Sequence, residues 1–351
     1  MTNQMSGDQP MLSIIIPNFN YGRFIGSAIR SALAVRWSRK EIIVVDDGSN
    51  DESWSVISSF EDQGVLAIRQ QNAGQLIACQ RGFARSRGDM VVFLDSDDLL
   101  APDIMEHVAS LFRPGVTKVQ VRMFVVDATG MPGGPDYPRF PQDIGPALIR
   151  DWVKESNAYP TPPGSGNIYA RTFLEQILPV DQPVDRFLDS YCLSAAPLLG
   201  DIETVDAPLV GYRVHGANDG AMSSLQPEKF ATELRRARLR TDYANRVSPN
   251  ATFVLPDPIV CSIPVLVQRA SSLRLCAEDH PVAGDSRLKI AVDFTRALSR
   301  KHHLGTRAAL LMWAWTMGIL ILPRPLARHL IGWRFAPVTR PWLVRRLASW
   351  A

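Results

Sequence analysis

The chain has 351 residues, 46% of them hydrophobic and 21% charged, with 38 Lys+Arg against 35 Asp+Glu for a formal net charge of +3. This composition excludes a disordered or fibrous chain and supplies a core for about two domains. The charge is uneven: residues 301–351 hold eight Lys/Arg, no Asp/Glu and five of the eight Trp, which leaves the first 300 residues with 30 basic and 35 acidic side chains. Residues 11–17, rich in β-branched side chains and bounded by Pro, predict a buried strand. Residues 24–33 have helical spacing at Ile25, Ile29, Ala32 and Leu33. A second strand is predicted at 41–45, a helix at 51–60, a third strand at 65–69 and a helix from Gly74 to Arg87. Residues 90–94 read as a fourth strand and 102–112 as the helix after it. Unbroken apolar strands alternating with helices are the pattern of a parallel sheet covered on both faces.

The middle of the chain is different. Residues 129–146 and 159–167 are rich in Pro and Gly and read as loops over a site or as plain connectors. From Pro227 onward the pattern is mainly helical, with Phe230, Leu234, Ala237 and Ala244 on one face and a further helix at 286–300. The four Cys are scattered without metal-ligand spacing, which suits a reducing compartment. The first ten residues are mostly polar and the apolar run 12–16 is too short for a targeting core, so a cytoplasmic setting is expected.

Polar clusters follow three of the predicted strands, and ligands of such sheets bind beyond the carboxyl ends of strands. In the strongest cluster, Phe93-Leu94 is followed by Asp95, Asp97 and Asp98. Three carboxylates this close repel one another. A hard cation such as Mg²⁺ or Mn²⁺ relieves the repulsion, commonly shared with substrate phosphates. A helix cap also uses an acid, but it needs only one. Asp46-Asp47-Gly48-Ser49 fits recognition of a base or ribose, and equally a cap with a turn. Asp185 and Asp189 are four residues apart, hence on one face if both are helical. Either could be a general base, or an acid favoured by the dipole at a helix start. If Tyr212-Arg213-Val214-His215 is a strand, Arg213 and His215 share a face suited to a diphosphate. No Gly-x-x-x-x-Gly-Lys, no Gly-x-Gly-x-x-Gly after the first strand and no Gly-x-Ser-x-Gly occurs. A P-loop, a dinucleotide Rossmann domain and a hydrolase elbow are thereby disfavoured.

Taken in order, Ser13-Ile-Ile-Ile-Pro-Asn-Phe-Asn20, Ile43-Val-Val-Asp-Asp-Gly-Ser49, Asn72-Ala-Gly-Gln75, Gly88-Asp89 and Phe93-Leu-Asp-Ser-Asp-Asp98 resemble the family 2 inverting glycosyltransferases. The resemblance covers about residues 11–215 and implies the GT-A fold: a mostly parallel α/β sheet with flanking helices over residues 1–225. A mainly helical region would occupy 226–351. It also implies that Pro17, Asn18, Phe19 and Asn20 line a nucleotide pocket completed by Asn72, Gly74 and Gln75. Asp47 would meet the base, and Asp95 and Asp97 the ribose. Asp97 and Asp98 would hold Mg²⁺ or Mn²⁺, and Asp189 would be the general base. Arg213 and His215 would close over the diphosphate. The family often has Glu-Asp where this chain has Leu188-Asp189, and Asn where it has Gln80. The implied reaction moves a sugar from a nucleotide-sugar, UDP-linked by expectation, to a hydroxyl of a glycan or lipid-linked acceptor, as in cell-surface polysaccharide synthesis. Two other functions draw on the same residues: a sugar nucleotidyltransferase, which normally has a Gly- and Arg-rich loop where this chain has Pro17–Tyr21, and a non-catalytic nucleotide-sugar-binding scaffold, which would not need the acids. A phosphate-accepting signalling domain would explain Asp46-Asp47 but not Asp95–Asp98.

Residues 308–322 are fifteen uncharged positions, about 22 Å as a helix and short of the ~30 Å hydrocarbon core of a bilayer. Arg324, Arg328, Arg334, Arg340, Arg345 and Arg346 follow, interleaved with Trp333, Trp342 and Trp350. The segment 304–351 suits either peripheral contact with the cytoplasmic leaflet or a buried or oligomer-forming helix. Nucleic acid is not an expected partner, because the basic residues lie amid large apolar ones.

Overall fold

The computed structural model describes residues 9–181, 185–215 and 225–335. They divide into two compact units. One is formed by the chain up to Pro146 together with Pro160–Val214, the other by Ala147–Tyr159 together with the chain from His215 onward.

The first unit begins with the alternation read from the sequence. It runs through β1 (Leu12–Asn18), α1 (Gly22–Ala34), β2 (Lys40–Asp46), α2 (Ser53–Ser58), β3 (Val65–Arg69), α3 (Gln75–Arg85) and β4 (Met90–Phe93). These four strands pair in parallel in the order β3-β2-β1-β4. All seven residues of β1 are buried because both sheet faces are covered. Leu12, Ile14 and Ile16 pack with Ile25, Ala28 and Ile29 of α1. Ile15, offset by one residue, points to the other face, under α3. There Gly82 comes so close that a Cβ would lie 2.4 Å from Ile15 Cγ2.

The rest of the sheet is mixed. β5 (Leu99–Leu100), α4 (Ile104–Val108) and the long β6 (Val116–Asp127) come next. α5 (Pro146–Ser156) belongs almost wholly to the second unit. The first unit then closes with β7 (Asn167–Ala170), α6 (Arg171–Ile177), α7 (Leu188–Leu199) and β8 (Asp201–Val214). The full order is β3-β2-β1-β4-β7-β6-β8-β5, with β7 antiparallel to β4 and β6, β8 parallel to β6, and β5 antiparallel to β8. The sheet is therefore mixed, its strands mostly parallel, with β7 at the centre and β5 at the edge running against the others. The acid-rich turn after β4 is fixed at both ends. Leu94 N donates to Ile15 O at 2.9 Å, and Leu99 pairs with Gly211 of β8.

The second unit is helical: α8 (Pro227–Val247), α9 (Pro258–Cys261), α10 (Ile263–Leu275), α11 (Arg287–Leu298), α12 (Thr306–Ile321) and α13 (Arg324–Phe335). The expected helix at 286–300 is α11, whose Ser286 caps it by accepting from Lys289 N at 3.1 Å. Ile290, Ile319, Leu320, Ala327 and Ile331 form a core with Phe230 and Ala270. Among the described residues no helix is long and apolar enough to cross a membrane. Arg340, Trp342, Arg345, Arg346 and Trp350 of the expected membrane-surface segment lie outside the described residues.

Burial, with the charge of His302 adding to it, pushes the His303 imidazole down to about 4. Below its ordinary value near 6.5 the unfolded chain takes a proton that folded His303 refuses, so this residue's contribution to stability falls with pH. Between pH 7.5 and 5 we expect the wild type to lose about 1–2 kcal/mol more than a His303→Leu variant. Paired urea titrations at the two pH values measure the difference, and equal losses would contradict it.

Candidate active site

The three strand-end clusters converge. Asn18 at the end of β1 lies beside Asp46 at the end of β2, donating from Nδ2 to Asp46 Oδ1 at 3.0 Å and to Ser49 Oγ at 3.2 Å. Ser49 Oγ also accepts from Asn20 N at 2.9 Å, and Asn20 Oδ1 accepts from Asn50 N at 2.9 Å. The loop 17–20 and the Asp-Asp-Gly-Ser turn are thus one hydrogen-bonded body, with Phe19 exposed at its rim. Gly48 has φ +76° and a Cβ there would meet Asn72 N at 2.9 Å, so this turn admits only glycine.

Asp47 is buried and its carboxylate faces the 70–74 loop. Oδ1 accepts from Gln70 Nε2 at 2.7 Å and Ala73 N at 2.8 Å, and Oδ2 accepts from Gly74 N at 2.8 Å. A carboxylate has about four acceptor positions, so Asp47 holds this loop and keeps one position on Oδ2. Asn72 is exposed at the loop tip. Gln75, the first residue of α3, donates from Nε2 to Asp95 Oδ1 at 2.8 Å, which ties the loop to the acid cluster. Gln80 accepts from Val180 N at 2.7 Å, a structural bond away from that cluster's acids.

Asp95 to Asp98 form a tight turn in which Asp98 N donates to Asp95 O at 3.0 Å. Ser96 is turned away and donates to Pro17 O at 2.6 Å. The acids are close enough to oppose one another's ionisation. Burial first, then the charges of Asp98, Asp97 and Asp189, hold Asp95 well above the usual carboxylate range against the pull of Gln75. Burial and the charge of Asp97 push Asp98 up to about 7, with Ser165 and Arg213 opposing.

Arg213 on β8 is buried and braces this turn. Its backbone N donates to Asp98 Oδ1 at 3.0 Å, its Nε to Asp97 O at 2.7 Å, and its Nη1 to the carbonyls of Asp127 and Ala128 at 3.3 Å. The guanidinium lies 5.2 Å from the Phe24 ring centroid. The guanidinium thus holds the backbone of the turn and of residues 127–128, and the Asp98 carboxylate is held by Arg213 N, whereas the resemblance implied contact of Arg213 with the diphosphate. β8 ends at Val214, so His215 lies one residue beyond the strand face that was expected to carry both side chains.

The helix-start acids also separate. α7 begins at Leu188, so Asp185 precedes it and the shared helix face expected for Asp185 and Asp189 does not form. Asp185 accepts from Arg186 N at 2.8 Å, and its own N–H donates to Tyr191 Oη at 2.6 Å. Asp189 sits in the first turn of α7 and faces the cluster across Gly164. A Cβ built on Gly164 would stand 3.7 Å from Asp189 Oδ2 and 3.8 Å from Asp95 Oδ2. Acids from the turn after β4 and from α7 therefore border one small space in front of Gly164.

Sequence reasoning did not single out three participants. Ser165, fully buried in the Pro-Gly-rich stretch read as a loop, accepts from Asp95 N at 3.0 Å. Lys118, fully buried in β6, anchors that loop by donating from Nζ to Thr161 Oγ1 at 2.9 Å and Asn167 Oδ1 at 2.7 Å. Burial holds its ammonium well below the usual lysine range, with Cys192 and Asp189 pulling the other way. Tyr212 was quoted but given no role. Burial and the charges of Asp98, Asp97 and Asp95 push its phenol up to about 12, which keeps it a neutral donor near the acids.

The donor set fits a hard cation in one respect. Asp98 Oδ2 is buried with no hydrogen-bond partner, a position that an oxygen-seeking ion would satisfy. Among the described residues no three His, Cys, Asp or Glu are placed to hold an ion alone, so further ligands would come from a substrate or from water.

The sequence and the fold have known counterparts. Residues 13–172 match the family model described as Glycosyl transferase family 2. Over 243 residues the chain is 32% identical to an uncharacterised glycosyltransferase of Nostoc sp., covering 67% of this chain and 74% of that protein. The chain belongs to glycosyl transferase family 2. This glycosyltransferase is also 34% identical over 102 residues to an uncharacterised one of Haemophilus influenzae, covering 28% of this chain and 41% of that protein. In fold it is similar to Staphylococcus aureus TarS, solved with UDP-GlcNAc, at a TM-score of 0.56 and 15% identity over 92% of this chain and 91% of that one. The mannosyltransferase PcManGT of Pyrobaculum calidifontis, solved with GDP-Man and Mn²⁺, is similar at a TM-score of 0.50 and 16% identity, covering 95% and 88%. At these identities the likeness is one of fold, and the fold is the GT-A architecture expected from the sequence.

Proposed function

We propose that this glycosyltransferase moves a sugar from a UDP-linked donor to a hydroxyl of a glycan or lipid-linked acceptor, inverting the anomeric carbon. The observation that carries this reading is the pair of carboxylates, Asp189 and Asp95, that border the space in front of Gly164. The loop 17–20, Asp47 and the 72–75 segment flank the cluster on the nucleotide side. In the proposed step the acceptor oxygen bonds to the anomeric carbon while the bond to the diphosphate oxygen breaks. The acceptor proton passes to Asp189, the general base. Attack from the side opposite the leaving group gives inversion. Tyr212, held protonated, donates a hydrogen bond to an anionic donor group. Asp97 and Asp98 would hold Mg²⁺ or Mn²⁺, which when bound neutralises charge on the diphosphate. Arg213 holds the turn that carries these two acids, through the Asp98 carboxylate and the Asp97 carbonyl. That TarS was solved with UDP-GlcNAc and PcManGT with GDP-Man and Mn²⁺ supports a nucleotide-sugar donor with a cation. Four thiols with no disulfide suit the cytoplasm, where such donors are made.

The test is a panel of UDP- and GDP-sugars with Mn²⁺, scored by release of nucleoside diphosphate and by the anomeric configuration of the product. We expect turnover with at least one UDP-sugar, lost on chelation, and a β product from an α donor. Release confined to GDP-sugars, turnover indifferent to chelator, or a product that retains configuration would each remove the corresponding part of the proposal.

A further inference from the structure

The second unit carries a surface that the transfer chemistry does not use. A surface helix ordinarily keeps its charged residues on the water side. On α12 the arrangement is otherwise. Ile319 and Leu320 are buried against α10, α11 and α13, while Leu310 is 60% exposed, Leu311 56%, Trp313 36% and Ile321 76%. At 100° per residue, positions 310, 311, 313, 314, 317, 318 and 321 fall on one arc, all apolar or glycine. Leu326 at the start of α13, 54% exposed, adds to the exposed apolar residues beyond the end of this arc. The orientation of α12 is fixed from beneath: Arg274 Nε donates to Ile319 O at 2.8 Å, and Trp313 Nε1 donates to Thr295 Oγ1 at 3.1 Å.

Charge frames this face. Arg307 precedes the apolar arc, Arg324 and Arg328 follow it, and all three are exposed. Residues 294–335 contain seven Lys/Arg and no Asp/Glu. A second copy of the chain laid on the same face would set those cations against themselves. An anionic bilayer surface meets both demands, taking the apolar side chains below the headgroups and the guanidiniums among the phosphates. A 16-residue helix is about 24 Å long, which suits lying in the interface and not crossing it. We propose that the exposed face of α12, bounded by Arg307 and Arg324, docks on an anionic lipid surface. The docking does not depend on which donor or cation the first unit uses.

The test uses the full chain with vesicles of phosphatidylcholine alone or with 30% phosphatidylglycerol, separated by flotation. Binding is expected to the anionic vesicles only, and to weaken as salt rises from 50 to 500 mM. Leu310→Glu with Ile321→Glu should lower the bound fraction by about tenfold or more, with melting behaviour unchanged because both side chains are exposed. Arg307→Gln with Arg324→Gln should shift binding toward the salt-weakened level. No flotation of the wild type would overturn the proposal. Flotation that survives both pairs of changes would overturn it as well, as would a concentration-dependent dimer broken by Leu310→Glu.

Discussion

Asp189→Asn is expected to lower kcat by about 10²–10⁴ while the affinity for UDP stays within about twofold. Asn has nearly the same size and hydrogen-bonding reach, so the first turn of α7 and the space before Gly164 keep their shape. What it lacks is basicity, since an amide does not take the acceptor's proton. Removing one negative charge beside Asp95 also eases the repulsion that raises that residue, so donor binding has no electrostatic reason to weaken. Steady-state transfer with a working donor, together with calorimetry of UDP binding, separates the two quantities. A variant whose kcat stays within about threefold of wild type would take Asp189 out of the chemistry.

Arg269→Met is expected to destabilise the second unit by about 3–5 kcal/mol. Arg269 is fully buried on α10. Its Nε and Nη2 donate to the two oxygens of Asp285, both at 2.7 Å, and its Nη1 donates to Asp293 Oδ2 at 2.8 Å and Ile259 O at 3.0 Å. His280 Nε2 stands 2.9 Å from Asp285 Oδ2. Burial alone would raise Asp285, yet Arg269 and His280 together hold it below the usual carboxylate range. Met replaces the stem of Arg and removes the charge, which leaves the buried Asp285 carboxylate and the partly buried Asp293 without their cation. Two signatures distinguish this from simple loss of packing. The deficit should shrink as pH falls below about 5, because an unpaired buried carboxylate takes a proton more readily than it does in the unfolded chain. Arg269→Met combined with Asp285→Leu should recover part of the loss. Urea unfolding of the three proteins at pH 7.5 and 4.5 measures both, and a pH-independent deficit would contradict the assignment.

The half of the sheet that was legible in the sequence is the half buried on both faces. β1, β2 and β4 carry buried apolar runs at 14–17, 42–45 and 90–93, and the polar residues that follow these runs mark the strand ends. Asn18, Asp46, Asp47 and Asp95 did so, and the candidate site could be located from them. The other half hid for the opposite reason. β6 carries Lys118 and Gln120 at fully buried positions, which breaks the expectation that such side chains lie outside. β7 has only four residues, and β8 contains Pro208 within its span. Asp185 and Asp189 could not be told apart by spacing alone, since the spacing argument presumes a helix that includes both, whereas α7 starts three residues after Asp185. Arg213 was found by its charge and its alternation, but the carbonyls that occupy it come from 97, 127 and 128, contacts made only in three dimensions. Gly164 and Ser165 lay in a stretch recognised as loop, and nothing in its composition says that its backbone runs between two carboxylates.

In the proposed reaction the acids after β4 receive a nucleoside diphosphate together with a cation. A crystal structure of this glycosyltransferase with UDP and Mn²⁺ measures it most directly. We expect anomalous density for one manganese ion bound by a carboxylate of Asp97 or Asp98 and by the diphosphate, with uridine over the loop 17–20. UDP seated elsewhere, or at the strand ends with neither Asp97 nor Asp98 touching a cation, would contradict it.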